Sequence, residues 1–354
     1  MIASNPLLGT GFHAIGAAFA ALCYTPQKRV KGWSWQSYWL VQASFCWFLL
    51  PIIIAWLTTP ELGAVLREAP HDAMLKTFLL GAAYGIGGTA FGIAIRYIGF
   101  SLTYAIAIGL STVFGTLIPP FLDGKLGATL SKPGANWVIA GIVVGMIGIA
   151  FTGAAGRMKE RDLSAATNLG GFSLMKGLLL SLLAGFLSAI YGVALAKGEP
   201  IADVASAHGA GVYRGLVVYI FSNTGAFIST SIYCLWLHGK HKTLGEIVEL
   251  PVGSEKASLP VNWTMAILTG CLWYGQFYFY NLGHVRMGNF QFTSWAIHMI
   301  MLILFSIAVG VVLREWRGSR ITTKTAVGLA FAILLGAVLM LTYGNHLAEI
   351  SPKQ

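Results

Sequence analysis

NWVIAGIVVGMIGIAFTGAA (136–155) is twenty residues without a single charge. That is the length of α-helix needed to cross the hydrocarbon core of a bilayer. Nine further segments qualify, near 7–25, 35–57, 76–96, 101–121, 175–196, 212–237, 262–283, 291–313 and 324–345. The chain has 354 residues, of which 56 % are hydrophobic and only 10 % charged, with a mean hydropathy of +0.70. Soluble domains carry about 25 % charged residues, so a soluble fold is excluded. The expectation is an all-α polytopic membrane protein with ten transmembrane helices.

The formal net charge is +10, a value that could suggest nucleic acid. Here the basic residues lie in short connections between apolar runs rather than on a folded face, and no nucleic-acid partner is expected. Cys23, Cys46, Cys234 and Cys271 fall in apolar stretches without metal-ligand spacing, so neither a metal nor a cofactor is expected. The N-terminus has no basic region before its first apolar run and does not read as a cleaved signal peptide. There is no His-Glu-x-x-His or Gly-x-Ser-x-Gly, and the chain is not expected to be an enzyme.

Small residues line two of the predicted helices: Gly81, Gly85, Gly88 and Gly92 in the third, and Gly141, Gly145, Gly148 and Gly153 in the fifth. Such faces let backbones approach closely in lipid. The two halves also echo each other. Gly81 to Gly99 and Gly270 to Gly288 have the same separation, with Tyr84 and Trp273 at the same offset, and Gly16 to Lys28 matches Gly185 to Lys197. These matches suggest two five-helix repeats, 1–156 and 175–354, joined by a polar connection at 157–174. An odd number of spans inverts the second repeat, an arrangement of secondary transporters with a site between the halves. The odd-numbered connections carry 15 Lys and Arg, against 8 for the even ones and both ends. Positive-inside logic then places both termini in the periplasm and 157–174 in the cytoplasm.

Within this apolar frame, LWYGQFYFYNLGHVRMGNFQFTSWAIHM (272–299) concentrates polar groups. Helical spacing puts Trp273, Gln276, Phe277, Tyr280 and His284 near one face, and Gln291, Ser294, Trp295 and His298 near one face of the next helix. Asn281 lies between them. Aromatic faces pack on sugar C–H groups, while amides and imidazoles pair with hydroxyls, so these stripes can cage a small polyol. They can equally be aromatic packing with polar groups gluing helices together. His13 and Tyr24 on the first helix and Tyr84 on the third join the candidate list.

FHAIGAAFAALCYTPQKRVKGWSW (12–35), YGIGGTAFGIAIRYIGFSLTYAIAIG (84–109) and the 272–299 stretch together resemble bacterial L-rhamnose–proton symporters of the drug/metabolite transporter superfamily. The resemblance runs over nearly the whole chain. It implies ten helices in two inverted repeats, location in the bacterial inner membrane, and uptake of L-rhamnose or a related 6-deoxyhexose with protons. The family carries an Asp near the start of the ninth helix, where this chain has Gln291. Asp and Glu otherwise occur only in connections, at helix ends and in the tail, which leaves His13, His284 and His298 as titratable groups inside the spans. Any proton coupling is therefore expected to use His298 before His13. The alternative is an uncoupled facilitator, or an exporter of another small metabolite.

Overall fold

Proline sets the first departure from ten simple rods. Pro51 has no N–H to offer the carbonyl of Trp47. In the computed structural model Ser44–Leu49 is a π-helical turn, with the Leu50 N–H reaching back to the Phe45 carbonyl. The structure describes residues 4–23, 25–98, 100–164, 174–250 and 257–350, and their regular structure is entirely helical. In chain order the α-helices are α1 (Pro6–Leu22), α2 (Trp35–Ala43), α3 (Leu50–Thr58), α4 (Leu62–Glu68), α5 (His71–Ile98), α6 (Phe100–Leu122) and α7 (Leu126–Leu130). There follow α8 (Ala135–Ser164), α9 (Leu174–Lys197), α10 (Glu199–Ala207), α11 (Val218–His241), α12 (Leu259–His284), α13 (Ser294–Val312) and α14 (Ile321–Ile350).

Among the described residues nine helical stretches are long and apolar enough to cross a membrane, rather than the ten expected. The expected span that is missing is α12. It has 26 residues, but its Trp, Tyr, Gln and Asn side chains depress its hydropathy. Three expected connections contain short helices, α4, α7 and α10. The polar run after residue 156 does not break its helix at once: α8 continues to Ser164, because Arg, Lys and Glu are good helix formers. Residues 165–173 of the expected linker lie outside the described residues.

The chain divides into two compact units, one comprising 1–21, 87–193 and 282–354, the other 22–86 and 194–281. In the first, α13 is the buried centre: Ile297, Ile300 and Leu304 pack with Leu334 and Leu341 of α14 and with Val138, Ile142 and Ile149 of α8. Gly141 and Gly145 make room for these contacts, since a Cβ would stand 2.7 Å from Leu341 at the first and would overlap Ile300 at the second. In the second unit α5 and α11 meet backbone to backbone. A Cβ on Gly81 would overlap the Ser222 carbonyl, and one on Gly225 would overlap that of Phe78. The glycine face read from the sequence is used in this way at Gly81 and Gly85.

Candidate functional site

The sequence-predicted residues fall into two clusters, one in each unit. In the second unit three aromatic rings from three elements converge. Trp47, on the π-turn, stands edge-on to Trp273 of α12 at 5.1 Å between centroids and edge-on to Tyr84 of α5 at 6.1 Å. Tyr84 and Trp273 are 6.5 Å apart. Trp273 continues into Phe277 at 4.8 Å, and Phe277 into Tyr280 at 6.4 Å. Trp47, Trp273, Gln276 and Tyr280 are all buried.

Trp47 was not among the predicted site residues. Its indole N–H lies buried with no hydrogen-bond acceptor among the described residues. A buried donor left unmade costs about 1–3 kcal/mol, which sets this N–H apart from the great majority of buried polar groups. Asn281 is differently employed. Its amide donates to the Val212 carbonyl at 2.9 Å, and Gly215 leaves room for its oxygen, so it braces α12 against the 3₁₀ turn Gly211–Val217. Tyr24 lies outside the described residues.

In the first unit His13 of α1 and His298 of α13 are both fully buried, with ring centroids 6.1 Å apart in an edge-on arrangement. Gly283 makes this approach possible: a Cβ there would stand 2.9 Å from His13 Nε2 and 2.8 Å from the Gly9 carbonyl. His284 is half-buried at the end of α12. One turn before His298, the Ser294 hydroxyl is buried with no hydrogen-bond partner among the described residues.

Two members of the predicted second stripe behave otherwise. The Trp295 N–H donates to the Ser111 carbonyl at 3.0 Å and lies 3.2 Å from the Ser111 hydroxyl. Gly115 has no side chain because the indole occupies that place. Trp295 is thus an anchor between α13 and α6 at its nitrogen. Gln291 was expected on the same helix as His298. It lies instead, half-buried, in the 3₁₀ segment Gly288–Thr293, whose Phe290 departs from helical backbone angles (φ −115°, ψ 39°). α13 begins three residues later. No cluster of three His, Cys, Asp or Glu side chains that could hold a metal occurs among the described residues.

Comparison with known proteins supplies the remaining observation. The family model of the L-rhamnose-proton symport protein (RhaT) matches residues 2–346. The chain is 34 % identical over 341 residues to an L-rhamnose-proton symporter of Cronobacter sakazakii, covering 96 % of each chain. It is 36 % identical over 317 residues to that of Pectobacterium atrosepticum, covering 89 % of this chain and 91 % of the relative. To that of Mannheimia succiniciproducens it is 32 % identical over 350 residues, covering 96 % and 98 %. One crystal structure of a protein shares the fold with a TM-score of 0.56 at 18 % identity, covering 95 % of this chain and 96 % of that one.

Proposed function

The chain belongs to the L-rhamnose-proton symport protein (RhaT) family, and from that premise we propose that it takes up L-rhamnose or a related 6-deoxyhexose with protons by alternating access. It is a transporter and not an enzyme. The observation that carries the sugar reading is the buried, acceptor-less N–H of Trp47 set among the rings of Tyr84 and Trp273. A sugar hydroxyl satisfies that donor, and the rings pack on sugar C–H groups. A 6-deoxyhexose adds a methyl corner, which an aromatic wall favours over a hydroxymethyl group. Gln276 and Tyr280 on the same helix supply further hydroxyl partners.

Protons are carried by the His13–His298 pair, with His298 as the primary group. The two rings stand in a buried setting where only one positive charge is accommodated cheaply. Coupling then needs no direct contact between sugar and proton. It needs only that sugar occupancy and histidine protonation bias the same conformational equilibrium. If one positive charge enters with each sugar, the membrane potential supplies about 2.3 kcal/mol per 100 mV, or roughly 40-fold accumulation.

In this reading α12 is the tenth span despite its polar face, and the protein lies in the bacterial inner membrane with both termini periplasmic, within the drug/metabolite transporter superfamily. Two inverted five-helix repeats, 1–156 and 175–354, are supported by where the units divide. The division after residue 21 falls between Gly16 and Lys28, and that after residue 193 between Gly185 and Lys197. Likewise the divisions after 86 and 281 fall inside the paired Gly81–Gly99 and Gly270–Gly288 intervals. Each unit therefore draws equivalent pieces from both halves of the sequence.

A second reading, an uncoupled facilitator or an exporter of another metabolite, is favoured by one specific observation: all 13 Asp and Glu residues lie in connections, at helix ends or in the tail. Counterflow of labelled L-rhamnose into proteoliposomes, with and without an imposed proton gradient, separates the two. Gradient-driven accumulation above equilibrium supports symport. Equilibration alone supports the facilitator, and no rhamnose exchange at all defeats both sugar readings.

A further inference from the structure

A cavity in the first unit is lined by residues that neither the sugar cluster nor the histidine pair uses. It lies between α6, α8 and α13 and holds about 570 Å³ of empty space counted out to its open mouth. Its lining is mainly apolar, with Tyr104, Ile303 and Ile307 among it. The hydroxyls of Thr152 and Ser306 donate to the Gly148 and Leu302 carbonyls of their own helices, at 2.9 and 2.8 Å. They therefore bring no free hydrogen to a ligand.

The polar part of the lining is different. The Lys159 ammonium stands 4.8 Å from the centre of the Trp316 ring and 3.8 Å from the Glu315 carboxylate, which is beyond hydrogen-bonding distance. The Trp316 N–H is buried with no acceptor among the described residues, and a Cβ on Gly310 would stand 3.0 Å from its nitrogen. Two donors in one lining, an ammonium and an indole N–H, call for an anionic acceptor. The flanking segments reinforce that demand. Residues 157–162 and 314–320 carry six basic side chains against three acidic ones. One of the acids, Asp162, already accepts from Arg320 and Thr323. Immediately beside Arg314 the side chains of Val311, Val312 and Leu313 are 55 %, 79 % and 43 % exposed. An apolar surface against a basic collar is the profile of the bilayer's headgroup boundary.

We propose that this cavity binds an anionic phospholipid, with its phosphate on Lys159 and the Trp316 N–H and an acyl chain along Tyr104, Ile303 and Ile307. Glu315 yields Lys159 to the phosphate when the lipid binds. Soluble phosphates share the headgroup chemistry but lack the chain, so the mainly apolar lining assigns the site to lipid.

The test is thermal unfolding of the full-length, delipidated protein in detergent, titrated with phosphatidylglycerol, phosphatidylcholine or glycerol 3-phosphate. Phosphatidylglycerol is expected to raise the unfolding temperature saturably, and the other two are not. Lys159→Gln removes one basic group near the membrane surface and is expected to raise the half-saturating lipid concentration roughly fivefold. Trp316→Phe keeps the ring, removes only the N–H, and is expected to weaken binding in the same direction. Lys240→Gln is the control, because Lys240 also lies over a tryptophan, Trp236 at 5.2 Å, but both are exposed on one helix. Equal responses to the two lipids, or unchanged half-saturation in both Lys159→Gln and Trp316→Phe, would overturn the proposal. A full shift with glycerol 3-phosphate alone would also overturn it and make this a soluble-phosphate site. Should one variant fail to fold, the other decides.

Discussion

His13 and His298, 285 positions apart in the sequence, meet edge to face with 6.1 Å between ring centroids, and neither is exposed. Two positive charges at that separation repel by about 3 kcal/mol at an effective dielectric of 20. On the proposed proton-carrying reading, that repulsion lets the pair hold one proton between them. Their contact depends on Gly283, whose missing side chain lets the His13 ring lie against α12.

The first prediction follows from that pair. His298→Gln keeps hydrogen-bonding capacity but cannot titrate. Its expected phenotype is sugar exchange in counterflow within about threefold of wild type, with loss of proton-driven accumulation. Adding Gln291→Asp returns an acid to the neighbouring 3₁₀ segment and is expected to restore part of the pH dependence. A pH-indicator assay of sugar-induced proton uptake reads both. Wild-type protein that takes up sugar without any proton signal ends the histidine mechanism.

Trp47 gives the second. Trp47→Phe preserves an aromatic ring between Tyr84 and Trp273 but deletes the unpartnered N–H. Loss of one hydrogen bond in a dry site costs about 1–3 kcal/mol, which is roughly 5- to 150-fold in rhamnose affinity. Trp273→Ala and Gln276→Ala are expected to weaken binding at least as much while the purified proteins still fold. Equilibrium binding by isothermal calorimetry measures all three; unchanged affinities would reduce the cluster to helix packing.

What the sequence disclosed and withheld here has a physical pattern. Run length and composition are local properties, so the apolar centres of the helices are legible, whereas α8 runs to Ser164, nine residues beyond its expected end. The glycine face of α5 was readable because close approach demands a repeated absence of side chains. Two features hide Trp47 in the sequence. Its partners come from α5 and α12, far away in the chain, and the π-turn inserts a residue that rotates the following helical face by about 100°. Trp295 was legible as a polar aromatic at the right spacing. Its N–H, however, is engaged by Ser111, 184 residues away, a tertiary fact that no periodicity carries. Gln291 was misplaced because a 3₁₀ segment precedes α13, and nothing in 288–293 breaks the apolar pattern strongly enough to announce it.

The third prediction concerns a connection. His208, just after α10, lies 2.8 Å from the Glu68 carboxylate by one ring nitrogen and 3.2 Å from Glu61 by the other. Both nitrogens can donate only when the ring is protonated. The hydrogen bond to Glu68, with a smaller contribution from Glu61, raises the His208 pKa above its ordinary 6.5. A raised folded-state pKa means that the link between α10 and α4 is fully present below about pH 6.5. It is lost as pH rises through the elevated value. Hydrogen exchange across 199–208 is expected to quicken over that interval in wild type, and His208→Gln is expected to exchange fast at every pH. A wild-type rate that follows only the intrinsic pH dependence of amide exchange would refute the link.

The last prediction is orientation. The basic residues divide 15 to 8 between the two sets of connections, and an excess of Lys and Arg marks the cytoplasmic side. The richest pair is the end of α8 with the segment before α14, joined by the Asp162–Arg320 and Lys159–Glu315 contacts. Both belong to odd-numbered connections, so a cysteine placed there should be shielded from outside. Cys271 is exposed whereas Cys23, Cys46 and Cys234 are buried, so a Cys271→Ser background removes the main competing thiol before labelling begins. In that background Ser164→Cys is expected to react with a membrane-impermeant maleimide only after permeabilisation, and a cysteine at position 4 is expected to react in intact cells. The paired sites guard against a site that is merely unreactive, because both must label once the membrane is opened. Labelling of residue 164 in intact cells, with residue 4 protected, would reverse the topology and move the basic collar to the periplasmic face.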